Sequence, residues 1–468
     1  MIASQLGAYA ASLRQETLPS EVAHAAKRCL VDWFAAALPG APCPPATLLV
    51  RALEEELAGS CSGPELLPAG LQAPARAAAL INGTAAHTVE FDDIYRDALY
   101  HPGAPVIAAA LALAQRENTS GTALIAAIVS GYEISNRIGE ALVPSHYDYW
   151  HTTGTVGTLG AAAAAATALG LDERAAAHAI ANSATFAAGL QQAFRSDAMT
   201  KPLHAGRAAE TGVLCALAAA QGVTGARAML EGPRGLAAAM SRGASLNGIA
   251  DDLGARYTIT RTTQKNHGCC GHSFAALDGI VALRAQHGVN GSDIERIEIG
   301  TYEKAVEIVG NPSPETPYEA KFSLPFCAAA AAIGGKVRLA TFDPARLQNP
   351  VLRDLMDRIS VNVSDECEDA FPGRRSAIVT LILHDGRKLE HHARTRKGDP
   401  ESPLTVKDLE DKFLELAPPV LGDDASQRLL ATLWAIDERP GMRGLLSNPA
   451  SQAATNATAR ARADAHAS

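Results

Sequence analysis

The run GTVGTLGAAAAAATALGL, residues 154 to 171, constrains the fold of this chain more than any other stretch. Alanine is the best helix former, and side chains this small let helices approach closely, so the run predicts a helix buried among other helices. Its glycines, threonines and alanines make it weakly hydrophobic for its length, which favours a buried helix over a membrane span. The bias extends to the whole chain. Of 468 residues 47% are hydrophobic but only 5% are aromatic, so alanine, leucine and valine must do most of the packing. A mainly α protein of two or three domains, with length enough for a large core, is expected.

Composition also narrows the function classes. The net charge of -9 is spread along the chain, with no Lys/Arg-rich tract and no interleaved aromatics, so no nucleic-acid partner is expected. The opening MIASQLGAYAASLRQETLPSE lacks a long apolar core and breaks into charge early, unlike a secretory signal. Eight cysteines in so long a chain do not make a disulfide scaffold, and a reduced, cytoplasmic protein without a membrane partner fits them.

From 20 to 240 the chain reads as helix after helix. In LGLDERAAAHAIA, Gly170 closes one helix and Asp172 caps the next. QGVTGARAML repeats the device, with Gly222 as the stop and Thr224 as the cap. ENTSGTALIAAIVSGYEISNRIGEAL starts on a similar Thr-Ser-Gly. There is no G-x-G-x-x-G and no G-x-x-x-x-G-K-[ST] loop. After about 270 the pattern changes. IERIEIGTYEKAV and ISVNVSDE alternate as strands do, and SAIVTLILHDGRKLEHHA reads as a hairpin turning at Asp385-Gly386. FSLPFCAAAAAIGG and PLTVKDLEDKFLELA read as helices. The expected organisation is a discontinuous all-helical domain, 1–268 and 402–445, a smaller inserted α+β domain, 269–401, and a small polar tail, 446–468.

Four segments carry the chemistry. HTVEFDDIYRDALYHPGAP, residues 87 to 105, holds Glu90, Asp92, Asp93 and Asp97 between His87 and His101. Such a cluster suits a metal, acid-base chemistry or a solvated loop. The small apolar residues before it and the buried-type helix PVIAAALALAQ after it favour acids that are paired or used. WHTTGTVGTLGAA puts His151, Thr152 and Thr153 at a helix start, where free N–H groups suit a substrate carboxylate, unless a threonine merely caps the helix. FRSDAMTKPLHAGRAAETG places Arg195, Lys201, His204 and Arg207 ahead of another Ala-rich helix, complementing a di- or tricarboxylate. RTTQKNHGCCGHSFAALDG adds Lys265, His267, Cys269, Cys270 and His272. Adjacent cysteines lack the C-x-x-C bite of zinc sites, and the further thiolates of an iron-sulfur site are missing, so no metal is expected. The inventory suits proton abstraction beside a carboxylate, with cations holding the acid groups.

Taken together, NGTAAH…EFDD…HPG, H-T-T-G-T-x-G, KPLHAGRAA, K-x-x-x-CC-x-H…LDG and AKFSLPF resemble the MmgE/PrpD family, over about residues 5 to 440. That family includes 2-methylcitrate dehydratase, cis-aconitate decarboxylase and iminodisuccinate epimerase. The resemblance implies a large all-helical domain, a smaller α+β lid, a homodimer and a cofactor-free site between the domains. Carried over by position, His101, His151 and Lys201 fall on active-site positions, and Asp92 and Asp93 match the acidic pair. Four positions depart from the pattern: Glu90 stands for Asp, Ile94 for Thr, Phe326 for Tyr, and Phe274 for a lid histidine, with His272 two residues earlier.

The leading expectation is a hydro-lyase, 2-methylcitrate dehydratase-like, acting on a small di- or tricarboxylate. His101 or His151 serves as base or acid, Lys201 grips a carboxylate, His272 completes the site, and Asp93 orients an imidazole. Glu90, Asp92, Arg195, His204, Lys265 and Thr152 are the expected substrate-binding residues. An epimerase, a decarboxylase and a catalytically inactive helical dimer serving as a binding module are the alternatives.

Overall fold

Small residues decide how the helices of the first unit meet. The computed structural model describes residues 1–60, 62–143, 145–194 and 198–446. The first unit comprises Met1–Thr88, Asp92–Thr262 and, among the described residues of the C-terminal part, 409–446. Its main helices are α1 (Ile2–Ser12), α2 (Ser20–Gly40), α3 (Ala75–Thr88), α4 (Gly103–Glu117), α5 (Gly121–Leu142), α6 (Thr152–Leu169), α7 (Glu173–Thr185) and α8 (Thr200–Ala220). The alanine run is α6, and every residue from Thr152 to Ala168 is buried. Helix α8 lies so close to α3 that a Cβ on Gly206 would sit 2.1 Å from Thr84 Oγ1 and 2.2 Å from the Leu80 carbonyl. A Cβ on Gly212, on the same helix, would lie 2.5 Å from Ala161 of α6. Helices pressed together this tightly leave no room for a methyl group, and overpacking such a contact costs about 1–3 kcal/mol.

The helix breaks follow from local chemistry. Gly170 ends α6 at φ 69°, and the Asp172 carboxylate accepts from Ala175 N at 2.7 Å to start α7. Ser120 caps α5 through Ala123 N. Thr224 caps nothing. Between Ala220 and Leu236 the chain runs in turns, because Gly225, Gly232, Pro233 and Gly235 interrupt it before the short helix Leu236–Met240.

The chain returns to the first unit through α9 (Val406–Leu416) and α10 (Asp423–Trp434). Lys412 Nζ meets Asp32 of α2 at 2.7 Å, Lys27 meets Asp437 at 2.6 Å, and the Arg443 side chain donates to carbonyls at the end of α4.

The second unit comprises Val89–Phe91 and Thr263–Asp408. Its sheet has strands β1 (Ile294–Thr301), β2 (Ile359–Val363), β3 (Ala377–Leu383) and β4 (Lys388–Ala393), in the order β2-β1-β3-β4. β1 and β2 are parallel, β1 and β3 antiparallel, and β3 and β4 form the expected hairpin, with Gly386 at φ 86°. Ile297, Ile299, Val379 and Leu381 point into a core shared with the helices Phe274–His287 and Leu324–Gly334.

The seams therefore fall at 262/263 and 408/409, against expected breaks at 268/269 and 401/402. The excursion Val89–Phe91 has no compositional signal. The expected tail beyond Leu446 lies outside the described residues. Among the described residues no helix is long and apolar enough to cross a membrane, and the described cysteines are free thiols.

Candidate active site

The last turn of α3 carries His87, which is fully buried, and α4 begins just after His101. The loop between them is anchored by Asp93. Asp93 Oδ1 accepts from Gly103 N at 2.9 Å, and Tyr132 Oη of α5 donates to Oδ2 at 2.6 Å. A Cβ on Gly103 would lie 2.8 Å from Asp93 Oδ1, so the HPG turn needs its glycine for this approach. Burial, reinforced by the charges of Asp32 and Asp92, pushes the Asp93 carboxyl up to about 8 despite the hydrogen bonds from Tyr132 and Gly103.

Around this anchor the structure gathers four imidazoles of the first unit. His101 Nδ1 donates to the Asp93 carbonyl at 2.7 Å. A carbonyl only accepts, so that nitrogen carries the proton and Nε2 presents the lone pair when the ring is neutral. Asp92 Oδ2 lies 2.6 Å from His87 Nδ1 and 3.4 Å from His101 Nδ1. The His87 ring packs edge-on against His101, with centroids 4.9 Å apart, and stacks on His151 at 5.5 Å. His151 Nδ1 lies 3.0 Å from His204 Nδ1, where one ring must donate and the other accept.

Helix α6 supplies His151 because the chain turns there. His151 is the N-cap residue, its own N–H bonding the Gly189 carbonyl at 2.9 Å. A Cβ on Gly189, itself at φ 135°, would lie 3.3 Å from the His204 ring, so a side chain there would crowd that imidazole. Thr153 Oγ1 accepts from His101 N at 3.2 Å and ties the HPG turn to the start of α6. Thr152 does not cap the helix. Its hydroxyl is buried and has no hydrogen-bond partner among the described residues.

Lys201, in the first turn of α8, is buried, and its positive charge acts on both His151 and His204. Burial first, then the neighbouring charges of His87, His204, Lys201 and His101, holds His151 well below the usual histidine range. Burial, His87 and Lys201 bring His204 down to about 4. Near neutral pH these two rings are uncharged, and so are suited to accept a proton or to hydrogen-bond an anion.

The expected residues divide between the units. His101, His151, Lys201, His204, Asp92, Asp93 and Thr152 belong to the first. The Asp93 backbone carbonyl meets His101 Nδ1, while its carboxyl serves Tyr132 and Gly103. The carboxylate beside the rings is that of Asp92, which lies against His87 and His101. Asp97 sits at the surface on Arg261. In the second unit Lys265 Nζ donates to the Glu90 carbonyl at 2.8 Å and lies 3.7 Å from its carboxylate. Glu90 has φ 60°, and Leu99, in the same stretch, has φ 50°. Strained backbone of this kind clusters at functional sites. His272 is buried with Nδ1 2.7 Å from Tyr302 Oη, and burial with Arg375 and Arg396 holds it well below its ordinary range. Phe326 and Phe274 both lie in that unit's hydrophobic core. Arg195 lies outside the described residues. His87 was named only as one end of the acidic stretch and given no role, and Tyr132 was not expected at the site, since it continues an apolar helix.

One group of described side chains comes near a metal set: ligand atoms of His87, Asp92 and His101 lie within 4.8 Å of one another. They are bonded to each other or to backbone rather than splayed about a centre. His87 Nδ1 is 2.6 Å from the carboxylate oxygen, and the proton of His101 Nδ1 is committed to a carbonyl. The trio does not fit a metal site as it stands.

Replacing Asp93 with asparagine separates its two roles. A carboxyl raised from 3.8 to about 8 on folding stabilises the fold fully only below the lower value, and that contribution is lost as pH rises through the upper one. Asparagine cannot ionise. Between those limits the wild type should therefore lose stability relative to Asp93→Asn at roughly 1.4 kcal/mol per pH unit. Urea unfolding at stepped pH measures it, and parallel curves for the two proteins would refute the buried protonated carboxyl.

Two family profiles match the sequence: the MmgE/PrpD N-terminal domain over residues 4–249 and the MmgE/PrpD C-terminal domain over 267–438. The chain belongs to the MmgE/PrpD family. Its mainly α fold with two domains is that of the family. Among individual proteins, it is 25% identical over 475 residues to the cis-aconitate decarboxylase-like protein oryM of Aspergillus oryzae, covering 95% of this chain and 96% of that one. It is 27% identical to human cis-aconitate decarboxylase, over 79% of this chain and 78% of the relative. The cis-aconitate decarboxylase of Aspergillus terreus is 24% identical, over 89% and 93%. Membership of this family supports a lyase-type function.

Proposed function

We propose that this protein is a lyase that works beside a carboxylate of a small di- or tricarboxylic acid without a cofactor, and that its reaction is decarboxylation of a cis-aconitate-like acid. The observation that carries the reading is the fixed tautomer of His101. Its Nδ1–H is held by the Asp93 carbonyl, so Nε2 is the atom that exchanges a proton, and Asp92 favours the imidazolium that protonates carbon. Lys201 supplies a positive charge for a substrate carboxylate.

In decarboxylation the C–CO2 bond breaks and its electron pair passes into the adjoining unsaturated carboxylate system. A protonated imidazole then returns a proton to carbon. Dehydration, the leading expectation from sequence, would use the same groups in another order. An imidazole would take the α-proton, and the C–O bond would break as protonated oxygen leaves as water. The named relatives favour decarboxylation over dehydration and over epimerisation. Their 24–27% identity, with the departures at Glu90, Ile94 and Phe326, supports naming the acid by class.

The test is incubation of the purified protein, before and after chelator treatment, with cis-aconitate and with citrate-, methylcitrate- and malate-type acids in deuterated water. Carbon dioxide release and proton NMR are followed together. The expected result is carbon dioxide with a diacid one carbon shorter, carrying a solvent deuterium, at a rate that chelation leaves unchanged. A new alkene without carbon dioxide would identify a dehydratase, and exchange without net conversion an epimerase. No change in any acid would sink the lyase reading and leave the binding-module alternative.

A further inference from the structure

His87 is the ring that the proposed chemistry does not use directly, and its surroundings are unusual for a packing residue. It is fully buried, Nδ1 is committed to Asp92, and Nε2 has no hydrogen-bond partner among the described residues. His146 of the same unit shows what a structural histidine does: Nδ1 meets the Met240 carbonyl and Nε2 the Thr155 hydroxyl. An orphaned buried polar atom costs about 1–3 kcal/mol, and leucine or phenylalanine would fill the space without one. The imidazole is kept for what its other nitrogen does.

That nitrogen takes the short bond of a shared carboxylate. Asp92 Oδ2 is 2.6 Å from His87 and 3.4 Å from His101, while the His101 proton points to the Asp93 carbonyl at 2.7 Å. We infer that His87 is a positioning residue for His101: by holding Asp92 it keeps the carboxylate from closing on His101 Nδ1, and so sets how tightly His101 binds its proton. Removing His87 frees Asp92 to move onto His101, raising its proton affinity and drawing Nδ1 off the carbonyl. Removing the Asp92 charge does the opposite. Among the described residues, the other charged or titratable groups that bear on this cluster include Asp93 in the loop, Tyr132 on α5, His151 on α6, Lys201 and His204 on α8, and Arg28, Cys29 and the Asp32–Lys412 pair of α2 and α9. None of them is altered in either variant.

The inference rests on the reading that His101 moves the proton, and its test does not depend on turnover. Protein labelled with 13C-histidine is titrated by NMR, with the His101 resonance assigned by its loss in His101→Asn. In His87→Leu the His101 midpoint should rise by about one unit, and in Asp92→Asn it should fall by about as much, the size expected for a carboxylate a few ångströms away. His87→Asn keeps an N–H toward Asp92 and should titrate near wild type. The same shifts should appear in the pH limb of kcat, with KM little changed. A His101 midpoint that stays within about 0.3 unit in both His87→Leu and Asp92→Asn overturns the inference. If His87→Leu does not fold, an unmoved midpoint in Asp92→Asn overturns it alone. Midpoints that move while the kcat limb does not would leave His87 in its role and count against His101 as the proton carrier.

Discussion

Replacing His101 with asparagine should lower kcat by about 10²–10⁴-fold, the contribution of a positioned proton-transfer group, while KM changes little. Asparagine is the informative substitution because its side-chain amide can still donate to the Asp93 carbonyl, as Nδ1 does at 2.7 Å. The HPG turn, its Gly103–Asp93 bond and the Thr153 contact to the His101 backbone then survive. What is lost is the second ring nitrogen. A residue that only shaped the pocket would instead weaken binding and raise KM. Steady-state kinetics on the acid found to turn over decides it, with thermal unfolding as the control for folding. A kcat within tenfold of wild type would move the proton-transfer role to His151, the other imidazole whose ring faces the cluster.

The parts of this protein that could be read from sequence are those controlled by neighbours in the chain. Gly170 with Asp172, Ser120 before α5, and the Asp385-Gly386 hairpin each depend on backbone chemistry within four residues, and each stands as expected. Thr224 failed because capping chemistry starts a helix only if the residues after it can continue one, and three glycines and a proline follow.

In the candidate site, residue types were legible and their partners were not. Asp92 and Asp93 are adjacent, so spacing cannot say which carboxyl faces the rings. That choice is made by Tyr132 and Gly103, which claim Asp93. His87 was visible as one end of the acidic stretch, but only the fold shows its ring stacked on His151 and its Nδ1 on Asp92. The left-handed turn at Glu90 was equally hidden, since nothing in EFDD marks a residue that leaves the β and α regions.

The other large effect lies far from these imidazoles. Lys412 of α9 and Asp32 of α2 are both fully buried, 2.7 Å apart and separated by 380 residues in sequence. Together they pin the returning C-terminal segment to the N-terminal helices. Lys412→Met removes the cation and leaves Asp32 buried without its partner, which should cost about 3–5 kcal/mol. Burial already pushes the Asp32 carboxyl up against the pull of Lys412, and the loss of that pull raises it further. A carboxyl whose folded value exceeds its unfolded one favours the fold most at low pH. The deficit of the variant should therefore be smallest near pH 4 and grow toward neutrality. The double variant Asp32→Leu/Lys412→Met should recover most of the loss, because exchanging a buried pair for apolar side chains is often neutral or stabilising. Urea unfolding of the two variants and the wild type at two pH values measures all three expectations. A Lys412→Met protein within about 1 kcal/mol of wild type at neutral pH would show that the C-terminal return is held by its apolar contacts alone.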